Sequence, residues 1–108
     1  MLNPKELERL NKKVDTKKNE RLSIIFNALS DPNRCKVFRI FVSQAQEGLC
    51  VSDVARLLKI SPSAASQHLK ILVITGLLTR KRQGQKVNYY ASVDDPLVKS
   101  ITEAVLTD

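Results

Sequence analysis

Between residues 61 and 75 the sequence sets small polar side chains around an apolar seam. Ala65, Leu69 and Leu72 recur at helical spacing and form the buried side of a helix. Ser63, Ala64, Ser66 and Gln67, with His68 and Lys70 further on, occupy the rest of its surface. Small groups at the start of a helix let its backbone enter the major groove of duplex DNA. Gln can pair two-pronged with adenine, and Ser can meet a base edge or a phosphate. Free N–H groups at a helix start favour phosphate as well. A short distance on, Arg80, Lys81, Arg82 and Lys86 surround Gln83-Gly84-Gln85, a cationic tip with the reach to follow a phosphate backbone. Any solvent-facing helix has a polar side. The basic stretch beside this one favours a nucleic-acid surface.

The charge distribution carries the same message. The 108 residues hold 18 Lys and Arg against 11 Asp and Glu, a net charge of +7. Between Asp53 and Asp94 there is no carboxylate side chain, yet there are seven Lys or Arg. Soluble surfaces interleave both signs. A one-signed stretch creates a field that attracts a polyanion and repels acidic partners.

Several elements must hold these groups in place. Leu7, Leu10 and Val14, then Leu22, Ile25 and Leu29, recur at helical spacing, so residues 1–30 read as one or two helices around a polar stretch at 15–19. Asp31-Pro32 starts a further helix, with Asp accepting free N–H groups and Pro at the first turn. Cys35, Phe38, Val42 and Ala45 form its stripe, with Phe41 beside it, and Gly48 ends the region. Ser52 is expected to cap a short helix from Asp53 to about Lys59, with Val54, Leu57 and Leu58 turned inward. Ser61-Pro62 then starts the polar helix, which Gly76 closes. Beyond it, two arms rich in strand formers flank Gly84, as in a β-hairpin. Asp95-Pro96 opens a last helix whose Leu97, Val98, Ile101, Ala104 and Val105 make a wide apolar stripe. The expected fold is mainly α with one β-hairpin: a winged helix-turn-helix of about five helices and a two-stranded wing, forming a single domain over residues 1–108.

The chain resembles the ArsR/SmtB family of winged-helix repressors. The matching stretches include Ala28-Leu29-Ser30-Asp31-Pro32, Val51-Ser52-Asp53-Val54-Ala55, Ser63-Ala64-Ala65-Ser66-Gln67-His68-Leu69-Lys70 and Gly76-Leu77-Leu78 with the hairpin, together spanning about 22–92. Four motifs in the family's order make the match specific. The resemblance implies a homodimer built from the first and last helices, residues 1–30 and 95–108, with Leu7, Leu10, Val14, Leu22, Leu97, Ile101 and Val105 at the interface. It implies an inverted-repeat operator, and release of DNA on sensing a ligand or a redox change. It places a His at position 68, where contact with DNA and contact with neighbouring backbone are both open readings.

The sensing chemistry departs from the family. Its arsenic and cadmium sensors gather two or three thiols near the start of the third helix. Here Cys50 stands there, but Ser52 and Ala55 occupy the partner positions. Zinc sensors of the family place His and carboxylates on the last helix, and this last helix has no His. A soft-metal site needs several thiolates or imidazoles, so neither a metal site nor a cofactor is expected, and the inducer is unassigned. Cys35 reads as a small core residue. Cys50, before a helix cap, could serve as a reactive thiol, with Cys35 as a possible second member of a thiol sensor.

Composition bounds the alternatives. The chain suits one compact domain, and no run of about 18 apolar residues spans a bilayer. The opening residues Met1-Leu2-Asn3-Pro4-Lys5-Glu6 lack the apolar segment of a secretory signal. A cytoplasmic protein with reduced thiols is therefore expected. The three glycines, Gly48, Gly76 and Gly84, lie too far apart for a phosphate-cradling loop, and no cleft is evident around His68. The reading is a non-enzyme that binds double-stranded DNA through Ser63, Ala64, Ser66, Gln67, His68, Lys70, Arg80, Lys81, Arg82, Gln85 and Lys86. The alternatives are a thiol-responsive repressor and a non-specific or architectural nucleic-acid-binding protein.

Overall fold

A computed structural model describes residues 1–44 and 47–106. Among these residues the chain forms α1 (Pro4–Lys13), α2 (Thr16–Leu29), α3 (Pro32–Ser43), α4 (Val51–Leu58), α5 (Pro62–Ile74), β1 (Leu78–Gln83), β2 (Lys86–Ala91) and α6 (Pro96–Leu106). Six helices therefore stand where about five are expected. The extra one arises because Asp15 accepts from the N–H groups of Lys17 (2.9 Å) and Lys18 (3.3 Å) and starts α2 afresh. Val14 before it is extended and ends α1.

The core is organised around α3, which packs against α2, α5, α6 and β2. Its buried seam is Val37, Phe38, Phe41 and Val42. Cys35 sits half-buried at the edge of that seam, and Ala45, expected to extend it, lies outside the described residues. The helix ends at Ser43.

In α4, Val54 and Ala55 are buried, and Val51 and Leu58 are half-buried and packed on the core. This is the i, i+3, i+4, i+7 stripe of a two-turn helix. Leu57 falls outside that stripe and is 51% exposed, contrary to the inward placement expected for it.

The hairpin is antiparallel, with register from Leu78↔Ala91 to Gln83↔Lys86. Gly84 and Gln85 form its two-residue turn. Gly84 takes φ +64°, the conformation a type II′ turn requires at its first central residue. On its other side β2 pairs with Leu49, whose N–H donates to the Tyr89 carbonyl (3.1 Å) and whose carbonyl accepts from the Tyr89 N–H (2.8 Å). A single bridge from Leu49 thus flanks the two-stranded hairpin at its root.

Two elements are incompletely covered. α1 has no buried residue, and Leu7, Leu10 and Val14 are each about half exposed or more. In α6, Val98 and Thr102 are buried, Leu97, Ile101 and Val105 are half-buried, and Ala104 is exposed, so the chain's own core covers only part of the apolar stripe.

Candidate nucleic-acid interface

The α4–α5 pair is joined by Lys59, Ile60 and Ser61. Lys59 adopts the left-handed conformation (φ 55°, ψ 46°). Its N–H donates to the Arg56 carbonyl (3.3 Å) and the Ile60 N–H to the Ala55 carbonyl (3.1 Å). These two bonds make a Schellman termination, which turns the chain sharply after α4. Ser61 then caps α5, its Oγ accepting from the Ala64 N–H at 3.1 Å, with Pro62 in the first turn. At the far end Gly76 (φ +82°) and Leu77 close α5 with a second Schellman pair, to Val73 (3.0 Å) and Leu72 (2.9 Å). Buried Leu77 leads directly into β1, so the end of α5 and the root of the hairpin are one rigid junction.

The start of α4 differs from expectation. Cys50, not Ser52, is the N-cap. Asp53 reaches back to accept from the Cys50 N–H (3.1 Å) and from its Sγ–H (3.3 Å), completing a capping box. With Ser52 as the cap, the residue three positions on would be Ala55, which has no group to reciprocate. The two hydrogen bonds from Cys50 hold the Asp53 carboxyl below its ordinary range. Cys50 is half-buried and unbridged, as is Cys35. Cys35 lines a shallow groove on α3 with Lys36, Arg39 and Ile40.

On α5 the structure separates the sequence-assigned residues. Ser63, Ser66, Gln67 and Lys70 are exposed and share one stripe at three- and four-residue spacing, opposite buried Ala65, Leu69 and Leu72. Ile74, 73% exposed, continues that stripe. Ala64 and His68 lie beside it, half-buried. The Nδ1 of His68 is sealed from solvent, and the imidazole is close enough to Asp31 to help hold that carboxyl below its ordinary range. The larger cause there is the Asp31 cap on α3, where Oδ2 accepts from the Arg34 N–H at 2.9 Å.

On the hairpin, Arg80, Lys81, Arg82, Gln85 and Lys86 are all exposed. Arg82 is steadied at the tip, its Nε donating to the Gly84 carbonyl at 3.1 Å. Lys81 Nζ lies over the Tyr90 ring, 5.1 Å from its centroid. The side chains of Gln67, Lys70, Arg80 and Lys86 bond to no other group among the described residues, and so are available to a partner. In β2 Tyr89 is buried and Tyr90 half-buried. Nothing in the spacing of the two tyrosines pointed to the packing of the Tyr90 ring on Gly48.

Among the described residues no three of His, Cys, Asp and Glu gather as a metal site, and no helix is long and apolar enough to cross a membrane.

Comparison with known proteins places this arrangement. A Helix-turn-helix domain matches residues 29–81. The cadmium resistance transcriptional regulatory protein CadC homolog of Staphylococcus aureus is 38% identical over 73% of this chain and 62% of its own length. The transcriptional repressor SmtB homolog of Synechocystis is 34% identical over 78% of this chain and 61% of its own. The chain thus spans about three fifths of the length of these two relatives. The structure of HlyU from Vibrio cholerae superposes with a TM-score of 0.72 at 25% identity, covering 84% of this chain and 94% of that one. The shared motifs, the capped helix pair and the hairpin agree with these similarities, and the chain belongs to the ArsR/SmtB family of winged helix-turn-helix transcriptional regulators.

Proposed function

We propose that this chain is a sequence-specific DNA-binding repressor that grips an inverted-repeat operator as a homodimer. The observation that carries the reading is the exposed stripe Ser63, Ser66, Gln67 and Lys70, mounted on a helix whose end is locked to an exposed basic hairpin. In this reading the stripe on α5 meets base edges in the major groove, and Ala64 lets the backbone approach. Arg80, Lys81, Arg82 and Lys86, with Gln85 at the turn, hold phosphates beside the groove. Two-fold symmetry sets the half-sites about one helical turn apart or slightly more. Two relatives are named for cadmium resistance and for a repressor, which supports regulation by release from DNA.

Selection of bound fragments from random duplex DNA by the purified chain tests this directly. An inverted repeat should emerge, and Gln67→Ala should relax the choice at one position of each half-site. Recovery of fragments with no shared sequence would replace this reading with non-specific binding.

The N-cap position of Cys50 supports a thiol-responsive form of the same repressor. A modified sulfur at the cap would press on Asp53 and loosen the start of α4. Oxidant added to the selected complex should then release DNA, and Cys50→Ser should hold it. Equal behaviour of the two proteins under oxidant would remove this form and leave the repressor reading intact.

A further inference from the structure

The hairpin carries its cations on two faces. The pleat sets alternate residues on opposite sides. The β1–β2 register therefore groups Leu78, Arg80 and Arg82 with Val87, Tyr89 and Ala91, and sets Thr79, Lys81 and Gln83 with Lys86, Asn88 and Tyr90 on the reverse. Leu78, Tyr89 and Ala91 are buried against the helices, and β1 packs on α5. The face they belong to is thus the one turned toward the recognition helix. Followed outward past the core, that same face presents Arg80 and Arg82.

The reverse face is engaged within the chain. Thr79 and Ser92 hydroxyls bond at 2.8 Å. The Tyr90 ring lies on Gly48, so closely that a Cβ at 48 would stand 2.5 Å from Cζ of the ring. Lys81 Nζ sits over the same ring. The ring therefore bridges the lead-in to α4 and the cation of β1, tying the helix pair to the wing.

We infer that the wing divides its labour. Arg80 and Arg82, with exposed Lys86 at the tip, are its phosphate-holding residues, while Lys81 is a positioning residue that acts through Tyr90 and Gly48 to set the pitch of the hairpin against the helix pair. This rests on the proposed function and reassigns one of its four phosphate residues.

The salt dependence of affinity for the selected duplex separates the roles, because each lost phosphate contact removes about one unit of log–log slope per wing. Arg80→Ala and Arg82→Ala should each flatten the slope by that amount. Lys81→Ala should leave the slope unchanged and weaken binding roughly two- to fivefold at every salt concentration, the scale of an exposed cation–π contact. Tyr90→Leu should behave like Lys81→Ala, while Tyr90→Phe and Lys81→Arg, which keep a ring and a cation, should bind as the native chain does. A slope that flattens for Lys81→Ala as much as for Arg82→Ala overturns the division and leaves the phosphate clamp standing. Unchanged slopes for all three cation variants overturn the clamp itself.

Discussion

At Gly48 a single hydrogen in place of a methyl decides where a tyrosine can lie. Ring atoms of Tyr90 occupy the place a side chain would take, 2.5 to 2.8 Å from a built Cβ. The backbone here needs no left-handed conformation, so the demand is for space alone. Gly48→Ala should cost about 1–3 kcal/mol in thermal or denaturant unfolding, the range for forcing extra volume into a packed site. Combining it with Tyr90→Leu should cost less than the sum of the two single changes, since the clash is then relieved. A fully additive double mutant would show that the ring swings away freely. Cys50 is a second residue whose role is set by its neighbours. Its N–H and S–H both point to Asp53, which makes it part of a helix cap rather than a thiol standing before one.

At the scale of elements, helix ends organise the molecule. Asp31, Ser61 and Asp95 each precede a proline and each cap a helix. Asp95 does more: it accepts from the N–H groups of Leu97 and Val98 and forms a two-pronged ion pair with Arg21 of α2, tying the first and last helices of the core together. The Arg21 guanidinium, helped by those N–H groups, holds the Asp95 carboxyl below its ordinary range. Asp53 and Asp31 are lowered too, by their own cap bonds. A carboxyl with a depressed folded-state pKa stabilises the fold above the unfolded value of about 3.9 and loses that contribution as pH falls through the folded value. Stability should therefore be level near neutrality and drop below about pH 4. Asp95→Asn keeps a capping oxygen but removes the charge. It should lower stability at neutral pH and flatten the acid side of the curve, as urea unfolding at several pH values would read. An acid limb identical to that of the native chain would show that the ion pair adds nothing.

At the scale of the whole molecule, α1 stands out. The radius of gyration is 17.0 Å, against about 13 Å for a compact chain of this length. The long axis is 59 Å and the others 26 Å. Among the described residues α1 buries no side chain, and Leu7, Leu10 and, at its C-cap, Val14 are exposed. In the proposed homodimer a second copy buries these residues together with half-buried Leu22, Leu97, Ile101 and Val105. Leu7→Glu with Leu10→Glu should leave the unfolding of the helix pair and hairpin nearly unchanged but halve the mass seen in sedimentation equilibrium. It should also weaken binding to a full inverted repeat far more than to one half-site, because linked binding is lost. A native chain that sediments as a monomer at tens of micromolar would end the proposal of a dimer.

Cap-and-proline pairs, helical spacing and the glycine between basic arms are local signals, and from them the sequence alone determined α3, α5, α6, the hairpin and the exposed polar side of α5. The same local signals misled where reciprocity or company mattered. Ser52 has the chemistry of a cap, but the cap went to Cys50 because Asp53 could answer it. Leu57 is apolar, but the stripe of an eight-residue helix has no place for it. Only the tertiary structure decided that Arg21 meets Asp95 across the chain and that Tyr90 rests on Gly48. These are contacts between residues far apart in sequence, set by how helices and strands pack, and spacing along one element carries no information about what another element brings against it.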